Sequence, residues 1–132
     1  MKSETSKDPS LPDSLKQGVV YFNKGRYFDA HESWEDLWRE STGAPRLYYQ
    51  GLVQVAVGLH HLSTGNISGG TRVVRRGLDK LEGRPGRYRG IDNRRFVADI
   101  RNAIEAPECP RIRIHTAGSH GAPSGDGPDE TV

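Results

Sequence analysis

Residues 27–39 read Tyr-Phe-Asp-Ala-His-Glu-Ser-Trp-Glu-Asp-Leu-Trp-Arg, and as a helix of about 100° per residue this stretch has two distinct faces. One half-circle carries the apolar residues, and the other carries only polar ones. A helix that packs one face against a protein core has this pattern. Two residues depart from it, because His31 and Glu35 lie on the apolar half, four positions apart and therefore adjacent. A buried acid and a buried imidazole need partners, since an unpaired buried charge is costly.

A second polar stripe occurs on the next predicted helix, which covers about residues 45–63 and is apolar almost all round. Gln50, Gln54 and His61 fall within about 40° of each other on its helical wheel, whereas His60 lies elsewhere. Gly51 and Gly58 lie on the same side and would let a neighbouring helix come close. The simplest interpretation is that the two polar sets face one another.

The remaining segments predict further helices separated by short turns. Asp13 or Ser14 can cap a first helix over residues 15–24, which Gly25 ends, and Asp92 can cap a last helix over residues 93–105. A fourth helix is expected over residues 67–82, and the glycine-rich stretch 83–90 is expected to be a loop. No strand pattern is apparent. The sequence therefore predicts an all-α fold, a compact bundle of about five helices arranged as antiparallel helical hairpins.

Length and composition limit the domain organisation. A chain of 132 residues forms one domain at most. Residues 1–12 and 107–132 are polar or rich in Gly, Pro and Ser, so we expect flexible tails on either side of a helical domain at 13–106. The single Cys109 suits a reducing compartment, and the N-terminus lacks the apolar run of a signal peptide. Polar residues interrupt the longest apolar stretch, so a cytoplasmic protein without a membrane span is predicted.

Charge is unevenly distributed although the net charge is only +2. Residues 72–113 contain twelve Arg and Lys against six Asp and Glu. The loop around Arg84 and Tyr88, next to Arg75 and Arg76, could bind RNA through charge and stacking, but a solvated loop explains the same pattern. Nucleic acid is therefore only a lesser alternative among the expected partners.

With these residues placed, His31-x-x-x-Glu35-x-x-Trp38 resembles the HxxxExxW signature of a small prokaryotic family, the domain of unknown function 309 family. Residues 50–56, the His60-His61 pair and residues 90–92 also resemble that family, and the resemblance covers about residues 14–104. It implies an all-helical fold and a metal or other functional site. It implies no established reaction.

The residues themselves leave three readings of the site open: a metal site, acid–base chemistry by His31 and Glu35 without a metal, and a structural network. His31, Glu35 and His61 could bind Zn²⁺, Fe²⁺ or Mn²⁺, with Gln50, Gln54 and Trp38 as a supporting polar shell. His31 and Glu35 would then be the candidate catalytic residues, for a hydrolysis at most. Alternatively, the same residues form a closed hydrogen-bond network in a non-catalytic helical scaffold or interaction module, which binds a protein partner or a second copy. The aromatic residues at positions 27, 28, 34 and 38 are expected to pack in the core.

Overall fold

The computed structural model describes residues 12–106 and 112–116, which form five α-helices and one short hairpin. The elements follow in the order α1 (Asp13–Asn23), α2 (Tyr27–Glu40), α3 (Gly43–Ser63), α4 (Ile67–Glu82), β1 (Arg87–Tyr88), β2 (Ile91–Asp92) and α5 (Asn93–Glu105). The predicted all-α bundle of helical hairpins is confirmed, and the bounds of α4 and α5 agree with the sequence prediction.

The helix ends follow local chemistry, with one exception. Gly25 follows α1 with φ at +80°, a left-handed conformation that glycine adopts without strain. The backbone N–H of Arg95 donates to Asp92 Oδ1 over 3.3 Å, so the predicted cap of α5 is confirmed. The predicted cap of α1 is wrong, because Pro12 precedes the helix and no side chain caps it. Asp13 lies instead in the first turn, where its charge is favourable to the helix dipole.

Helix α3 lies at the centre of the bundle, between α2 on one side and α4 on the other. Its apolar residues are buried nearly all round, as the sequence predicted. The core around it is largely aromatic, and its biggest fully buried side chains are Trp34, Tyr48, Tyr49, Phe22 and Phe96. The indole N–H of Trp34 donates to the Leu15 carbonyl oxygen over 3.1 Å, which satisfies its polar atom inside the core.

Two pairs of glycines bring α3 and α4 into backbone contact. A Cβ placed on Gly51 would lie 3.0 Å from the carbonyl oxygen of Gly77, and one placed on Gly77 would lie 2.6 Å from that of Gly51. Gly58 and Gly70 have the same reciprocal relation, at 2.8 Å in both directions. The predicted close approach at Gly51 and Gly58 is therefore confirmed, and the neighbour is α4.

The segment predicted as a loop at 83–90 contains β1, which pairs antiparallel with β2. Two-residue strands are too short to produce an alternating pattern in the sequence. The buried side chain of Asn93 holds the hairpin in place: its Nδ2 donates to the Leu81 carbonyl oxygen over 2.9 Å, and its Oδ1 accepts from the Tyr48 hydroxyl over 3.1 Å.

Residues 112–116 pack on the helical domain. The prediction that they belong to a flexible tail is therefore wrong. Ile112 and Ile114 are buried. The Asn23 side chain donates to the carbonyl oxygen of Ile114 and accepts from its N–H, over 3.0 and 2.7 Å. The amide N–H of Asp92 donates to the His115 carbonyl oxygen over 2.7 Å. The rest of the predicted tails, residues 1–11, 107–111 and 117–132, lies outside the described residues, and the prediction of flexible tails there stays a prediction.

In the described part of the chain, no helix combines the length and the hydropathy needed to cross a bilayer.

Candidate functional site

Helix α2 places the motif residues along one edge of its buried stripe. Tyr27, Ala30 and Trp34 point into the core. His31 and Glu35 lie beside this stripe and are only partly buried, with 16% and 32% of their side chains exposed. The expectation that His31 and Glu35 are buried is therefore wrong, because the buried face of α2 is narrower than the apolar half of its helical wheel.

The imidazole of His31 has a defined orientation. Its Nδ1 lies 3.2 Å from the carbonyl oxygen of Phe28. A carbonyl oxygen can only accept, so Nδ1 carries the hydrogen of this bond. The other ring nitrogen, Nε2, then faces Glu35 Oε2 at 3.7 Å. This arrangement suits either a protonated imidazole paired with a carboxylate or a neutral ring that offers a lone pair.

Glu35 also has a cation on its outer side. Arg39 Nη2 lies 3.4 Å from Glu35 Oε1, and Arg39 Nη1 lies 3.3 Å from Asp36 Oδ1. Half-exposed pairs of this kind on one helix contribute about 0.3–0.5 kcal/mol each. The carboxylate therefore belongs to a solvated network on α2, and it does not carry a buried, uncompensated charge.

The predicted convergence of His31, Glu35 and His61 does not occur. Within residues 12–106 and 112–116, no three His, Cys, Asp or Glu side chains lie close enough to hold one metal ion. The ring of His60, not that of His61, contacts α2, at 5.5 Å between its centroid and that of Phe28. Adjacent helical residues point about 100° apart, so only one histidine of the pair can face α2. The described residues do not fit a metal site with three protein ligands.

The polar stripe of α3 lies away from the α2 ion pair for the same reason. Gly51 and Gly58 bring one side of α3 against α4, and Arg46 and His60 face α2 from the other side. Gln50, Gln54 and His61 are half-buried between these two contacts. The side chain of Gln50 forms no hydrogen bond in the described residues.

Two buried polar atoms next to the motif have no hydrogen-bond partner among the described residues. They are Nε1 of Trp38, a donor, and Oε1 of Gln54, an acceptor. A buried polar atom left without a partner costs about 1–3 kcal/mol. A water molecule or the polar group of a ligand is therefore expected at each of these atoms. Arg46 covers the ring of Trp38, with its guanidinium carbon 5.1 Å from the ring centroid.

The predicted core position of Phe28 is wrong. Trp34 and Tyr27 are buried as expected, but half of Phe28 is exposed. Its ring lies between those of His31 and His60, with centroid distances of 5.1 and 5.5 Å. Its place at the border of the apolar half-circle was the signal that could have predicted this exposure.

The exposed and half-buried residues along α2 and α3 form a continuous strip, which we call the α2–α3 edge. Leu47, on the same face of α3 as Gln54, is a second large exposed apolar residue, with 54% of its surface accessible. Leu47 and His60 lie about 20 Å apart along α3 and, at about 100° per residue, about 140° apart around it, so Leu47 lies outside this edge. The α2–α3 edge is defined by Phe28, His31, Glu35, Trp38 and His60.

The α2–α3 edge lies within the part of the chain that is similar to a family of other proteins. A family model described as "Domain of unknown function (DUF309)" matches residues 15–73. An uncharacterized protein of Aquifex aeolicus (strain VF5) is 27% identical over 105 residues, which are 76% of this chain and 32% of that protein. Uncharacterized protein YpuF of Bacillus subtilis (strain 168) is 31% identical over 101 residues, which are 74% of this chain and 58% of that protein. The chain thus spans about a third of one relative and just over half of the other.

Proposed function

Residues 15–73 match a family of unknown function, so no activity follows from the match. We propose that they form a non-catalytic helical module that binds a protein partner through the α2–α3 edge.

The observation that carries this proposal is the half-exposed Phe28 ring in contact with two imidazoles. Aromatic side chains are enriched in protein interfaces relative to the rest of the surface. Burial of its exposed half would contribute about 1 kcal/mol from the hydrophobic effect alone. Because His31 and His60 both contact the ring, Phe28 is positioned before a partner arrives, and less side-chain entropy is lost on binding.

The rest of the edge supplies what an interface needs around such an anchor. Trp38 lies further along α2 and is only partly buried, and the guanidinium of Arg46 covers its ring. Glu32, about 40° from Phe28 around α2, is exposed and has no cation partner in the described residues. These features favour a partner segment that carries a basic residue beside an apolar one.

Site-specific photo-cross-linking tests this proposal. p-Benzoyl-phenylalanine replaces Phe28 in one variant and Val20 in a control; Val20 is 44% exposed on α1, outside the edge. Both variants are irradiated in the cells that naturally produce the protein. We expect one dominant protein adduct at position 28, its yield greatly reduced by an added Glu32→Lys substitution, and no equivalent adduct at position 20. Absence of an adduct at position 28, or the same adducts at both positions, would contradict the proposal.

A divalent metal bound by His31 and Glu35 is the second candidate, with water molecules as the remaining ligands. The bond from His31 Nδ1–H to the Phe28 carbonyl oxygen favours it, because metal-binding histidines commonly orient their free nitrogen in this way. A ligand at a hundred times its dissociation constant stabilises the folded state by about 2.7 kcal/mol. The test is whether Zn²⁺ or Mn²⁺ raises the melting temperature of protein purified without a His-tag, and whether His31→Ala removes the effect. No shift in the wild-type protein would eliminate this candidate.

A further inference from the structure

The hairpin between α4 and α5 concentrates positive charge at one place on the surface, outside the residues matched by the family model. Four arginines on or beside the hairpin are exposed, and two more are half-buried. No acidic side chain lies within ion-pair distance of any of them in the described residues. We call this set the arginine hairpin, and it consists of Arg84, Arg87, Arg89, Arg94, Arg95 and Arg113.

The acids nearest in sequence are already engaged. Asp92 caps α5 by accepting from the N–H of Arg95, and Glu82 pairs with Arg101 on the α4–α5 side. Arg95 and Arg113 both lie close enough to His115 for their charges to act on its imidazole. Burial lowers the pKa of the His115 imidazole, and the charges of Arg95 and Arg113 lower it further, against the opposing charges of Asp99 and Asp92.

The backbone beneath these arginines is held firmly. Arg89 has φ at +50° and Gly90 has φ at +86°, the two left-handed positions of a tight hairpin turn. The guanidinium Nε of Arg89 donates to the Tyr49 hydroxyl over 2.9 Å, which leaves its other nitrogens free. The ring of Tyr88 packs edge-on against buried Tyr48, and the guanidinium of Arg84 lies over Tyr88 at 5.7 Å. Charges fixed in this way need little reordering when they bind.

An arginine at a left-handed turn position is itself informative. Such positions strongly favour Asn, Asp or Gly, and a larger residue there costs about 1 kcal/mol or more. The strained backbone conformation therefore occurs at Arg89, whose guanidinium is part of the arginine hairpin.

We propose that the arginine hairpin binds the phosphodiester backbone of a nucleic acid without reading its sequence. The planar guanidinium pairs with phosphate through two parallel hydrogen bonds, and all six cations of the cluster are arginines. A protein interface would instead need an exposed apolar or aromatic centre. The large exposed apolar residues of the described chain, Val20, Phe28, Leu47 and Ile67, all lie outside the cluster. Charge without an apolar centre fits contact with a phosphate backbone.

Fluorescence anisotropy tests this proposal with a labelled 20-nucleotide oligouridine and a labelled 20-base-pair DNA duplex, titrated with the full chain at several salt concentrations. If four to six phosphates are neutralised, the logarithm of the single-strand binding constant falls with the logarithm of salt concentration at a slope of about −3 to −4. Affinity should then fall about a hundredfold between 50 and 200 mM salt. Binding to either nucleic acid with this salt dependence supports the proposal. The nucleic acid that binds more tightly indicates whether the natural ligand is single-stranded or double-stranded.

A matched pair of variants locates the site. Arg87→Gln/Arg95→Gln removes two charges from the hairpin, and Arg72→Gln/Arg76→Gln removes two exposed charges from α4, so net charge changes equally. We expect the hairpin variant to bind oligouridine about tenfold or more weakly at 50 mM salt, with a slope about 1.4 smaller in magnitude, and the α4 variant to bind as the wild type does. All these side chains are exposed, and circular dichroism verifies that both variants fold.

Three results would overturn the proposal. They are no binding of either nucleic acid at 50 mM salt, an equal loss in the two variants, and equally tight binding of labelled polyglutamate, which would indicate an acidic protein partner. This surface does not overlap the α2–α3 edge, so the two proposals can fail independently.

Discussion

The glycine contact between α3 and α4 makes a strong prediction about stability. In a helix interior, Gly→Ala normally stabilises by about 1 kcal/mol, because alanine lowers the backbone entropy of the unfolded chain. For Gly77→Ala we expect the opposite sign. The new Cβ would lie 2.6 Å from the Gly51 carbonyl oxygen, 2.7 Å from Val55 Cγ2 and 2.9 Å from the Val55 amide nitrogen.

The magnitude follows from what has to move. Real Cβ atoms essentially never approach a heavy atom within 3.0 Å, so α4 must shift from α3 by at least about 0.4 Å. Two of the three obstructing atoms are backbone, so no side-chain rotation relieves the clash. Overpacking of a well-packed interface costs about 1–3 kcal/mol, and a backbone clash belongs at the upper end of that range. After the propensity gain is subtracted, we expect a net destabilisation of about 2 kcal/mol.

Urea unfolding followed by circular dichroism measures this effect, and Gly83→Ala is its matched control. Gly83 follows α4 with φ at −80°, and a Cβ there would meet no atom within 4 Å. The control should therefore be neutral or stabilised by up to about 1 kcal/mol. For a domain of this size, the loss in Gly77→Ala corresponds to a melting temperature lower by about 8–16 °C. If Gly77→Ala is as stable as Gly83→Ala, the close packing of α3 on α4 has been misjudged.

Three further predictions concern other parts of the fold. Gly18→Ala should cost more than about 3 kcal/mol in chemical unfolding, because its Cβ would lie 2.0 Å from the indole nitrogen of Trp34; wild-type stability would refute this. Asn93→Ala should cost about 2–4 kcal/mol, because it leaves the Tyr48 hydroxyl and the Leu81 carbonyl oxygen without their partner; a loss below 1 kcal/mol would mean that water replaces the amide. The lowered pKa of His115 makes its protonation unfavourable in the folded state, so stability should be lost as pH falls through about 6.5, the unfolded value. His115→Gln should flatten the dependence of melting temperature on pH between 7 and 5. If the dependence is the same in this variant, other titratable groups cause it.

The helices were predictable from the sequence because their signals are local. The apolar period of α4 and α5, the left-handed turn at Gly25 and the cap at Asp92 each depend on residues within one or two turns. The cap of α1 was wrongly predicted because Asp13 and Ser14 are both residue types preferred at the N-cap, whereas the N-cap residue is Pro12, one residue earlier. Such errors of one or two residues do not change the fold.

The candidate site could not be predicted in the same way, because it depends on which neighbour each face of α3 meets. Gly51 and Gly58 correctly indicated a close helix, but the sequence does not say that this helix is α4. Once α4 occupies that side, α2 meets the side that carries His60, and His61 turns away from the ion pair on α2. Likewise, the packing of Ile114 against Asn23 joins residues 91 positions apart, which no local pattern reveals.

The geometry of His31 gives the motif an interpretation that does not require a metal. Its Nδ1–H bonds to the carbonyl oxygen of Phe28, and its ring lies against the Phe28 ring, while Glu35 pairs with the opposite nitrogen. On the interaction-module proposal, the pair therefore positions the apolar anchor of the α2–α3 edge. The two candidate functions then respond differently to Glu35→Gln. A glutamine amide can accept from Nε2–H of a protonated His31 ring or donate to Nε2 of a neutral one, so positioning of Phe28 and cross-linking at position 28 should persist, whereas metal affinity should fall steeply when a charged ligand is lost. Glu35→Gln therefore distinguishes the interaction-module proposal, in which His31 positions Phe28, from the proposal that His31 binds a metal.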